Sequence, residues 1–554
     1  MRKKLIATTI LSAFLCTFSP APAALAADNV QVTLPSFTVT LNGQVIDNSY
    51  RQYPLLVYKD ITYFPMTYYD CRFLGVETNW TNDNGLRIQV SDLLGAYHVQ
   101  NRKQKNKRQD IAQLATGDIT VNGKVIHNNQ EEYPLLSYRD VTYFPLTWRF
   151  AVNEFGWKYS FDGKSGLNIS ASNPKTTTVT LTDGRKTNNN FLRDDFQFTI
   201  DNNYLYYQGA QGAIYRRPLS DLSKDALRQK AGEFPACQTA QGKEYPAAAF
   251  YEQSGKIFAS FERGYGLNDK RCYRLENNTL SKNLLLHQND QYVDFGNFQA
   301  NISHQPLDNS GASKLQLLTA EGVRSFGIDG YWYALDTEGE LPYDKKNNTL
   351  YLSKKKLETA NLIDNGIAAV NLTSGTITPL NATGLSGALP GEYDYDNGMI
   401  YYQENGSWND KANRYIYTLH ALDPATNQNV IIAHTLESFT GTRNGVYYVD
   451  KDTNKLTFWN RYTYQKETIN VKGYCLSVEN QNGYAIAYFD NGSQNPYRLM
   501  VFAPSGQGMK QLYAAADVCD QAFVNKNGML VYRLRGEDFA TSSQFVTVQL
   551  PKIS

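Results

Sequence analysis

The sequence is poor in the residue types and motifs on which most catalytic and metal sites depend. Its 554 residues include only six His, six Met and six Cys. No two histidines form an H-x-H pair, no two cysteines form C-x-x-C, and the motifs G-x-S-x-G, H-E-x-x-H and G-x-x-x-x-G-K-[ST] do not occur. The sequence therefore names no catalytic residue, and it predicts no metal site and no cofactor.

The chain also has no excess of positive or negative charge. Lys and Arg total 54 against 53 Asp and Glu, and the first 27 residues hold three of the cations and no acid, which leaves 51 against 53. A near-neutral chain gives no electrostatic reason to expect nucleic acid as a partner. Hydrophobic residues make up 42% of the chain and charged residues 19%, which excludes wholesale disorder.

Long apolar runs are confined to the N-terminus. Three cations at positions 2–4 precede an apolar segment from Leu5 to Phe18, and Ala24-Leu25-Ala26 follows it. This order is typical of a secretory signal peptide over residues 1–26, with cleavage before Ala27. The apolar segment is shorter than the roughly 20 residues that span a bilayer. We therefore expect a mature chain without a transmembrane segment, secreted or held at the cell envelope.

Cysteine is too scarce for a disulfide scaffold. The expected mature chain keeps five cysteines, and an odd number leaves at least one outside any intramolecular bridge. Two bridges between neighbouring β units stay open as possibilities, Cys237 with Cys272 and Cys475 with Cys519.

Tyrosine and phenylalanine, in contrast, are abundant, with 40 and 26 copies. These residues fit pleated, half-buried surfaces, so the composition predicts a mainly β protein.

The N-terminal part contains a duplication. Residues 42–67 and 122–147 share 16 of 26 positions without a gap, at a shift of 80 residues. Each copy begins with an Asn-Gly turn and continues through Y-P-L-L and T-Y-F-P. The sequence that follows predicts a short helix, which ends at Gly75 in the first copy and at Gly156 in the second. A strand containing Trp80 or Trp157 and a last strand follow. Each copy is therefore expected to be a small antiparallel sheet with one helix packed on it.

The pieces V-N-G-K-V-I, D-V-T-Y-F-P-L and helix-Gly-x-x-x-W resemble the N-terminal stalk domain family of copper amine oxidases, over about 37–100 and 117–172. The resemblance implies a non-catalytic spacer. The oxidase domain of those enzymes needs a T-x-x-N-Y-D/E tyrosine and three copper histidines. The nearest string here places Asn203 where that tyrosine must stand, and the six histidines are scattered. We expect no amine oxidase activity.

A basic segment lies between the two copies. Five cations occur within residues 102–108, which favours either a solvated connection or a contact to an anionic envelope polymer. We assign repeat 1 to 30–100, a basic linker to 101–116, and repeat 2 to 117–172.

Residues 176–554 repeat a different phrase, in which a polar turn is followed by alternating Tyr and aliphatic residues. The glycines of four such turns, Gly398, Gly445, Gly483 and Gly528, are spaced by 47, 38 and 45 residues. Units of this length predict a β-propeller of six to eight blades. The region also resembles an uncharacterised propeller-like family of secreted bacterial proteins, which implies no known activity.

Few residues of the propeller region suggest a binding site. Trp408 and Tyr265 lie within polar, turn-rich sequence, where an exposed ring can stack on a sugar or a peptide group. Glu392, Asp394 and Asp396 alternate and would share one strand face, either as an acid pair or cation site or as solvated edge residues. Asp-x-Asp-x-Asn at 450–454 begins like a calcium loop but lacks the glycine at position six and the glutamate at position twelve, so it predicts a hairpin turn.

These observations favour a non-catalytic binding or scaffold protein, in which a stalk presents a propeller to a glycan, a peptide or a protein. A propeller hydrolase or lyase acting on polysaccharide is the first alternative, since propeller enzymes gather residues from several blades. It would require two converging, partly buried carboxylates at the channel mouth. A purely structural surface protein is the second.

Overall fold

The computed structural model is mainly β, as the composition predicts. The predicted signal peptide lies outside the part of the chain that it describes. The described residues are 29–91, 95, 97–98, 100–171, 176–184, 198–234, 237–239, 242–245, 248–262, 270–281, 284–286, 291–304, 313–327, 331–335, 341–358, 361–383, 385, 393–396, 398–410, 413–469, 474–490, 498–505, 508–515, 519–535 and 541–551.

The N-terminal unit, residues 29–171, contains fourteen short strands and two helices of six and seven residues. In chain order these elements are β1 (Asn29–Thr33), β2 (Val39–Leu41), β3 (Gln44–Val45), β4 (Leu56–Tyr58), β5 (Ile61–Pro65), α1 (Tyr68–Phe73), β6 (Val76–Thr81), β7 (Gly85–Val90), β8 (Gln109–Leu114), β9 (Ile119–Val121), β10 (Lys124–Val125), the 3₁₀ turn Asn128–Gln130, β11 (Leu136–Tyr138), β12 (Val141–Pro145), the π-helix Trp148–Glu154, β13 (Lys158–Asp162) and β14 (Gly166–Ser170).

The two sequence copies are related by an approximate two-fold axis. Strands β1 to β7 repeat as β8 to β14, and β5 pairs with β12 so that Phe64 lies opposite Phe144, its own counterpart at the 80-residue shift. In the same way β1 pairs with β8 so that Gln31 lies opposite Ile111. The second copy thus begins at β8, inside the range 101–116 that the sequence assigned to a linker.

The two copies share their sheets. Strands β1-β4-β5-β12-β11-β8 form one closed six-stranded sheet, and the other two sheets are β10-β9-β7-β6 and β13-β14-β2-β3. Each of the last two joins copies through a parallel pair, β7 with β9 and β14 with β2. This differs from the expectation that each copy forms its own antiparallel sheet. The β2–β3 hairpin has only three and two residues per strand, too little to stand alone.

The helices show where the two copies differ in length. The shift between counterparts is 80 residues up to Thr147 and 81 from Gly156, because Gly75 and Gly156 both follow the helix with positive φ. The second copy accommodates its extra residue by widening the helix into a π-helix, a common response to a one-residue insertion.

The equivalence of Trp80 and Trp157, expected from the sequence, is wrong for this reason. Trp80 pairs with Leu86 and corresponds to Phe161, which pairs with Leu167. Trp80 is 65% exposed, whereas Trp157 is buried and donates from Nε1 to Leu74 O of the first copy at 2.8 Å. The duplication rests on the matched strand pairs and not on the tryptophans.

The predicted Asn-Gly turns hold the two copies together. Asn42 and Asn122 have φ of 45° and 48°, and each is followed by a glycine with positive φ, as a two-residue hairpin of this type requires. Asn42 donates from Nδ2 to Phe73 O at 2.6 Å, and its Oδ1 accepts from Ala171 N of the other copy at 2.8 Å. Asn122 makes the counterpart bond to Val90 N at 3.0 Å, but it is exposed.

We expect Asn42→Gly to keep the turn and to weaken the junction between the copies. Glycine adopts the positive φ, but the buried Ala171 N and Phe73 O lose their partner, which costs about 2 kcal/mol. Hydrogen exchange of the amides in β14 in the full chain should be faster in this variant. Asn122→Gly is the matched control and should cost less than about 1 kcal/mol, because its partners can bond to water. Equal effects of the two variants would contradict this account.

The C-terminal unit, from β15 (Thr176–Thr180) onward, forms nine sheets in the described residues, of which eight are blades and one is a two-stranded hairpin. Blade 1 contains β16 (Phe198–Ile200), β17 (Tyr204–Gln208), β18 (Ala213–Pro218) and β19 (Gln229–Glu233); blade 2, after the hairpin β20 (Cys237–Thr239) and β21 (Gly242–Glu244), contains β22 (Ala249–Gln253), β23 (Lys256–Glu262), β24 (Lys270–Glu276), β25 (Thr279–Leu280) and β26 (Leu284–Leu286); blade 3 contains β27 (Gln291–Asp294), β28 (Gln299–His304), β29 (Ser313–Thr319) and β30 (Gly322–Gly327); blade 4 contains β31 (Trp332–Ala334), β32 (Tyr343–Asp344), β33 (Thr349–Glu358), β34 (Asn361–Asn371) and β35 (Ile377–Thr383).

The remaining four blades follow the same order from the inner to the outer strand. Blade 5 contains β36 (Tyr393–Asp396), β37 (Met399–Asn409), β38 (Arg414–Asp423) and β39 (Gln428–Ala433); blade 6 contains β40 (Ser438–Thr442), β41 (Gly445–Asp450), β42 (Lys455–Asn460) and β43 (Lys466–Thr468); blade 7 contains β44 (Tyr474–Gln481), β45 (Tyr484–Asp490), β46 (Arg498–Ser505) and β47 (Gly508–Ala514); blade 8 contains β48 (Cys519–Val524), β49 (Met529–Arg535), β50 (Thr541–Gln549) and β15 (Thr176–Thr180). Two short 3₁₀ turns, Ala210–Gly212 and Asp225–Leu227, also lie in blade 1.

Blades 1 to 8 form a closed ring, as the predicted propeller requires. Each pair of successive blades shares a cluster of buried apolar side chains, including the pair of blade 8 and blade 1. At that last junction, Phe198 contacts Phe523 and Phe545 with ring centroids 5.0 Å apart in each pair. Strand β15 completes blade 8 by pairing with β50 along its whole length.

A buried charge cluster marks the passage from β15 to blade 1. Asp183 Oδ2 accepts from Tyr207 OH at 2.8 Å, Arg217 at 3.1 Å and Arg228 at 2.7 Å. Partial burial opposes ionisation of Asp183, but the hydrogen bonds from Arg228, Tyr207 and Arg217 lower its pKa overall. Arg217 is almost fully buried and also donates to Asp225, whose side chain is 77% exposed.

We expect Asp183→Ala to destabilise the propeller by about 3 kcal/mol, because it leaves the buried Arg217 without its enclosed carboxylate. Asp225→Ala, which removes the exposed partner of the same guanidinium, should cost less than about 1 kcal/mol. Urea unfolding of the full chain measures both. Because the pKa of Asp183 is lowered in the folded state, its contribution is present above the ordinary aspartate pKa and is lost as the pH falls through the lowered value. The difference between wild type and Asp183→Ala should therefore shrink in acid, and a pH-independent difference would contradict the assignment.

The cysteines do not form the bridge between Cys475 and Cys519 that the sequence left open. Cys71, Cys272, Cys475 and Cys519 are all buried thiols. The side chain of Cys237, the other half of the second possible pair, lies outside the described residues. Burial raises the pKa of the Cys475 thiol to about 12, which disfavours the thiolate that disulfide chemistry needs.

Candidate binding site on the fifth propeller blade

The second and third strands of blade 5 extend well beyond the inner strand. The inner strand β36 pairs with Met399–Tyr402, whereas β37 and β38 continue their pairing out to Asn409 and Arg414. Seven residues of β37 lie beyond the inner strand, which corresponds to about 23 Å of chain. We call this extension the blade 5 hairpin.

Trp408 lies near the tip of the blade 5 hairpin, directly opposite Tyr415. The two rings form an edge-to-face pair with centroids 5.3 Å apart and planes at 74°. Trp408 is 51% exposed and Tyr415 54%. The sequence placed Trp408 in a loop, but it is part of a strand, because aromatic residues in both strands favour extended pairing. At this exposure the ring does not pack beneath the hairpin.

A bulge lies just before the tip. The register shifts between Glu404 and Ser407, and bulges of this kind redirect the side chains that follow. At Gly406 a Cβ atom would lie 3.0 Å from Ile416 O and 3.0 Å from the Tyr417 ring, so a larger residue would push the opposite strand away by a few tenths of an ångström.

A polar network joins the three outer strands of blade 5 where the extension begins. Glu404 Oε2 lies 2.9 Å from His420 Nε2, and His420 Nδ1 lies 3.1 Å from Asn429 Oδ1. The imidazole also stacks on Tyr402 with centroids 4.8 Å apart, and Asn429 Nδ2 donates to Tyr402 OH at 2.6 Å. Burial raises the pKa of Tyr402, so its hydroxyl stays protonated. These contacts hold the base of the hairpin rigidly to blade 5.

Among the other residues singled out by the sequence, those that the structure describes do not form a second site. Tyr265 and Glu392 lie outside the described residues. Asp394 and Asp396 are both buried on β36, where Asp394 accepts from Gly441 N and from Thr440 Oγ1 of blade 6, the latter at 3.4 Å. Asp396 accepts from Asn480 of blade 7 at 3.1 Å. Asp394 thus connects blade 5 to the adjacent blade 6, and Asp396 connects it to blade 7, two positions along the ring.

Asp450 forms a hairpin turn, as the sequence predicts. Its Oδ1 accepts from Asp452 N and Thr453 N, and Asn454 adopts a positive φ of 53°. Burial alone would raise the pKa of Asp450, but hydrogen bonds from Thr435 and Thr453 lower it overall.

The histidines of the described residues lie in separate elements. His98 stacks on Tyr69 in the N-terminal unit, His127 precedes a 3₁₀ turn, and His434 is exposed in blade 5. Within the described part of the chain, no group of three or more His, Cys, Asp or Glu side chains is placed to hold a metal ion. Among those same residues, no helix is both long and apolar enough to cross a membrane.

Tyr415 and the Glu404–His420–Tyr402 network were missed by the sequence analysis. Their members come from two strands whose register is shifted by a bulge, so their proximity depends on a feature that spacing does not reveal. The alternation of aromatic residues at Tyr415 and Tyr417 is the one sequence signal that marks this strand.

Comparison with known proteins gives no family for this chain. No family model matches it, and no curated protein matches it. Among solved structures it is similar to the β-propeller domain of the Trilobed protease from Pyrococcus furiosus, at 10% identity and a TM-score of 0.35, covering 57% of this chain and 96% of that one. It is also similar to BamB from Moraxella catarrhalis, at 11% identity and a TM-score of 0.33, covering 68% and 99%. At these TM-scores the assignment of a propeller rests on the strand order and the closed ring of blades described above.

We expect the aromatic pair to contribute little to folding and the network beneath it to contribute more. Trp408→Ala and Tyr415→Ala should each change the free energy of unfolding by less than about 0.5 kcal/mol, since both rings are half exposed. Asn429→Ala should cost about 1–3 kcal/mol, because His420 and the Tyr402 hydroxyl lose buried partners. Thermal unfolding of the three variants gives the comparison, and a large loss in Trp408→Ala would assign that ring to packing.

Proposed function

We propose that this protein is an exported, non-catalytic binding protein whose propeller captures a glycan or peptide ligand through the blade 5 hairpin. The observation that carries the proposal is the pair of half-exposed rings, Trp408 and Tyr415, at the tip of a hairpin whose base is held by partly buried polar contacts. Exposed aromatic rings in fixed positions supply contact area with little loss of side-chain entropy.

The N-terminal unit acts, in this proposal, as the spacer that holds the propeller at the cell envelope. Its repeated sequence resembles stalk domains, and its two copies share all three sheets, so the unit is a single body. Export is supported by the signal-like sequence at residues 1–26. The polysaccharide hydrolase alternative draws no support from Asp394 and Asp396, because both carboxylates are buried and accept hydrogen bonds from other blades, blade 6 and blade 7 respectively.

The test of binding uses a panel of soluble oligosaccharides and peptides, with tryptophan fluorescence and calorimetry as readouts. For a ligand that binds the wild type, Trp408→Ala and Tyr415→Ala should each weaken binding at least tenfold, since loss of one stacking ring removes about 1–3 kcal/mol. Trp148→Ala, which removes a ring with 65% exposure from the N-terminal unit, is the matched control and should bind normally. Unchanged binding in both hairpin variants would place the ligand elsewhere.

Export is tested separately by N-terminal sequencing of the protein recovered from outside the cell. We expect the mature chain to begin at Ala27. A chain that begins at Met1 and stays inside the cell would refute both the signal peptide and the proposed location.

A further inference from the structure

The basic segment between the two copies is an ordered strap and not a loose linker. Residues 100–108, which we call the basic strap, run antiparallel to residues 48–52. Backbone bonds join Gln52 N to Gln100 O at 2.7 Å, Arg102 N to Tyr50 O at 2.7 Å and Asn106 N to Ser49 O at 2.8 Å. At its end, Arg108 O accepts from Leu34 N at 3.0 Å. The strap is therefore held near both ends and at Asn106.

One inward-pointing side chain fixes the middle of the strap. Asn106 is 9% exposed and donates from Nδ2 to Asn48 O and to Arg51 O, both at 2.8 Å. Its Oδ1 accepts from Arg139 NH2 at 3.0 Å, so the amide also joins the second copy. Because Asn106 points inward, the neighbouring Lys105 and Lys107 point outward.

The outward face of the strap carries unpaired positive charge. Lys103, Lys105, Lys107 and Arg108 are all exposed, and none of the ion pairs found among the described residues includes them. Two carboxylates lie near enough to interact weakly, Asp47 with Lys105 and Asp110 with Lys107. Both carboxylates already accept closer hydrogen bonds, from Ser49 N and from Tyr138 OH.

This charge is local, because the chain as a whole is nearly neutral. Five cations fall within seven residues, whereas the 554-residue chain has a net charge of only +1. A long-range attraction to a polyanion needs a local excess of positive charge, and this surface has one. Three of the exposed cations are lysines at every second position, Lys103, Lys105 and Lys107. The lysine ammonium is a point charge on a flexible side chain, whereas the arginine guanidinium makes a fixed bidentate contact. Lysines are therefore suited to a ligand with many repeated charges, and less suited to recognition of a single group of defined geometry.

We propose that the basic strap binds a linear polyanion, a polymer whose phosphate or carboxylate groups repeat along its length. Binding costs the strap little ordering, because Asn106 and the backbone bonds on either side of 103–105 already hold it against residues 48–52. This surface lies in the N-terminal unit and does not depend on the propeller ligand. Its role would be to attach the protein to an anionic polymer outside the cell.

The experiment measures binding of the full chain to long-chain inorganic polyphosphate and, in a parallel arm, to poly-L-glutamate, at several salt concentrations. The wild type should bind at least one polymer, with an affinity that falls as salt rises because bound counterions are released. The preferred polymer identifies phosphate or carboxylate as the recognised group. The combined variant K103Q/K105Q/K107Q should bind at least tenfold more weakly and with a flatter salt dependence.

A matched variant separates strap binding from general charge. K158Q/K164Q/K346Q removes three exposed lysines elsewhere and has the same net charge, so it should bind like the wild type. Asn106→Ala keeps every cation and releases the strap, and it should weaken binding several-fold while circular dichroism shows an unchanged fold. Equal losses in the two lysine variants, or wild-type binding by K103Q/K105Q/K107Q, would overturn the proposal.

Discussion

The pairing of β15 with β50 is the constraint on which the rest of the molecule depends. These strands lie more than 360 residues apart in sequence, and their five-residue register closes the ring of eight blades. An open ring would expose the faces of its first and last blades, where Phe198, Phe523 and Phe545 now meet. The same strand also carries the junction to the N-terminal unit, because Thr178 Oγ1 accepts from Tyr97 N at 3.2 Å. Ring closure and attachment of the two units are therefore one structural event.

In the N-terminal unit, too, sheets are completed by strands from a distant part of the chain, here from the other copy of the duplicated sequence. Neither copy has strands long enough to form a stable sheet, so each hairpin is completed by strands of the other copy. The buried ion pair between Arg51 and Asp70 is the first link in a polar chain from this unit to the propeller. The buried guanidinium of Arg51 bonds to Asp70, to Tyr53 O at 3.0 Å and to Tyr97 OH at 3.1 Å, and Tyr97 is the residue that reaches Thr178. A polar chain thus leads from the first copy to the closing strand.

Features that depend on a short stretch of sequence could be predicted, whereas features that depend on pairing between distant segments could not. The Asn-Gly turns at 42 and 122 were predictable because few residues tolerate two successive positive φ angles. The propeller repeat was visible because each blade restarts with a turn before a Tyr-rich strand, and the described residues reach the upper end of the predicted range of blades. The exchange of strands between copies was not visible, since the pairing of Leu86 with Ile119 links short segments whose own sequences are compatible with either partner. The exposure of Trp408 was also hidden, because the bulge that precedes it depends on Gly406 and on the opposite strand.

The two proposed surfaces differ in the kind of binding that they provide, and this difference favours their combination in one chain. A strap of unpaired lysines holds a polymer weakly, without a fixed register, and its strength depends on salt. A pair of rings on a rigid hairpin selects by shape and is nearly independent of salt. When the first surface keeps the protein near a polymer, the second meets its ligand at a raised effective concentration, so modest affinity at each surface is enough for retention. In this arrangement the N-terminal unit needs no reactive site. It needs only to hold the two surfaces apart, and two copies of a small β unit that share all three sheets can do so.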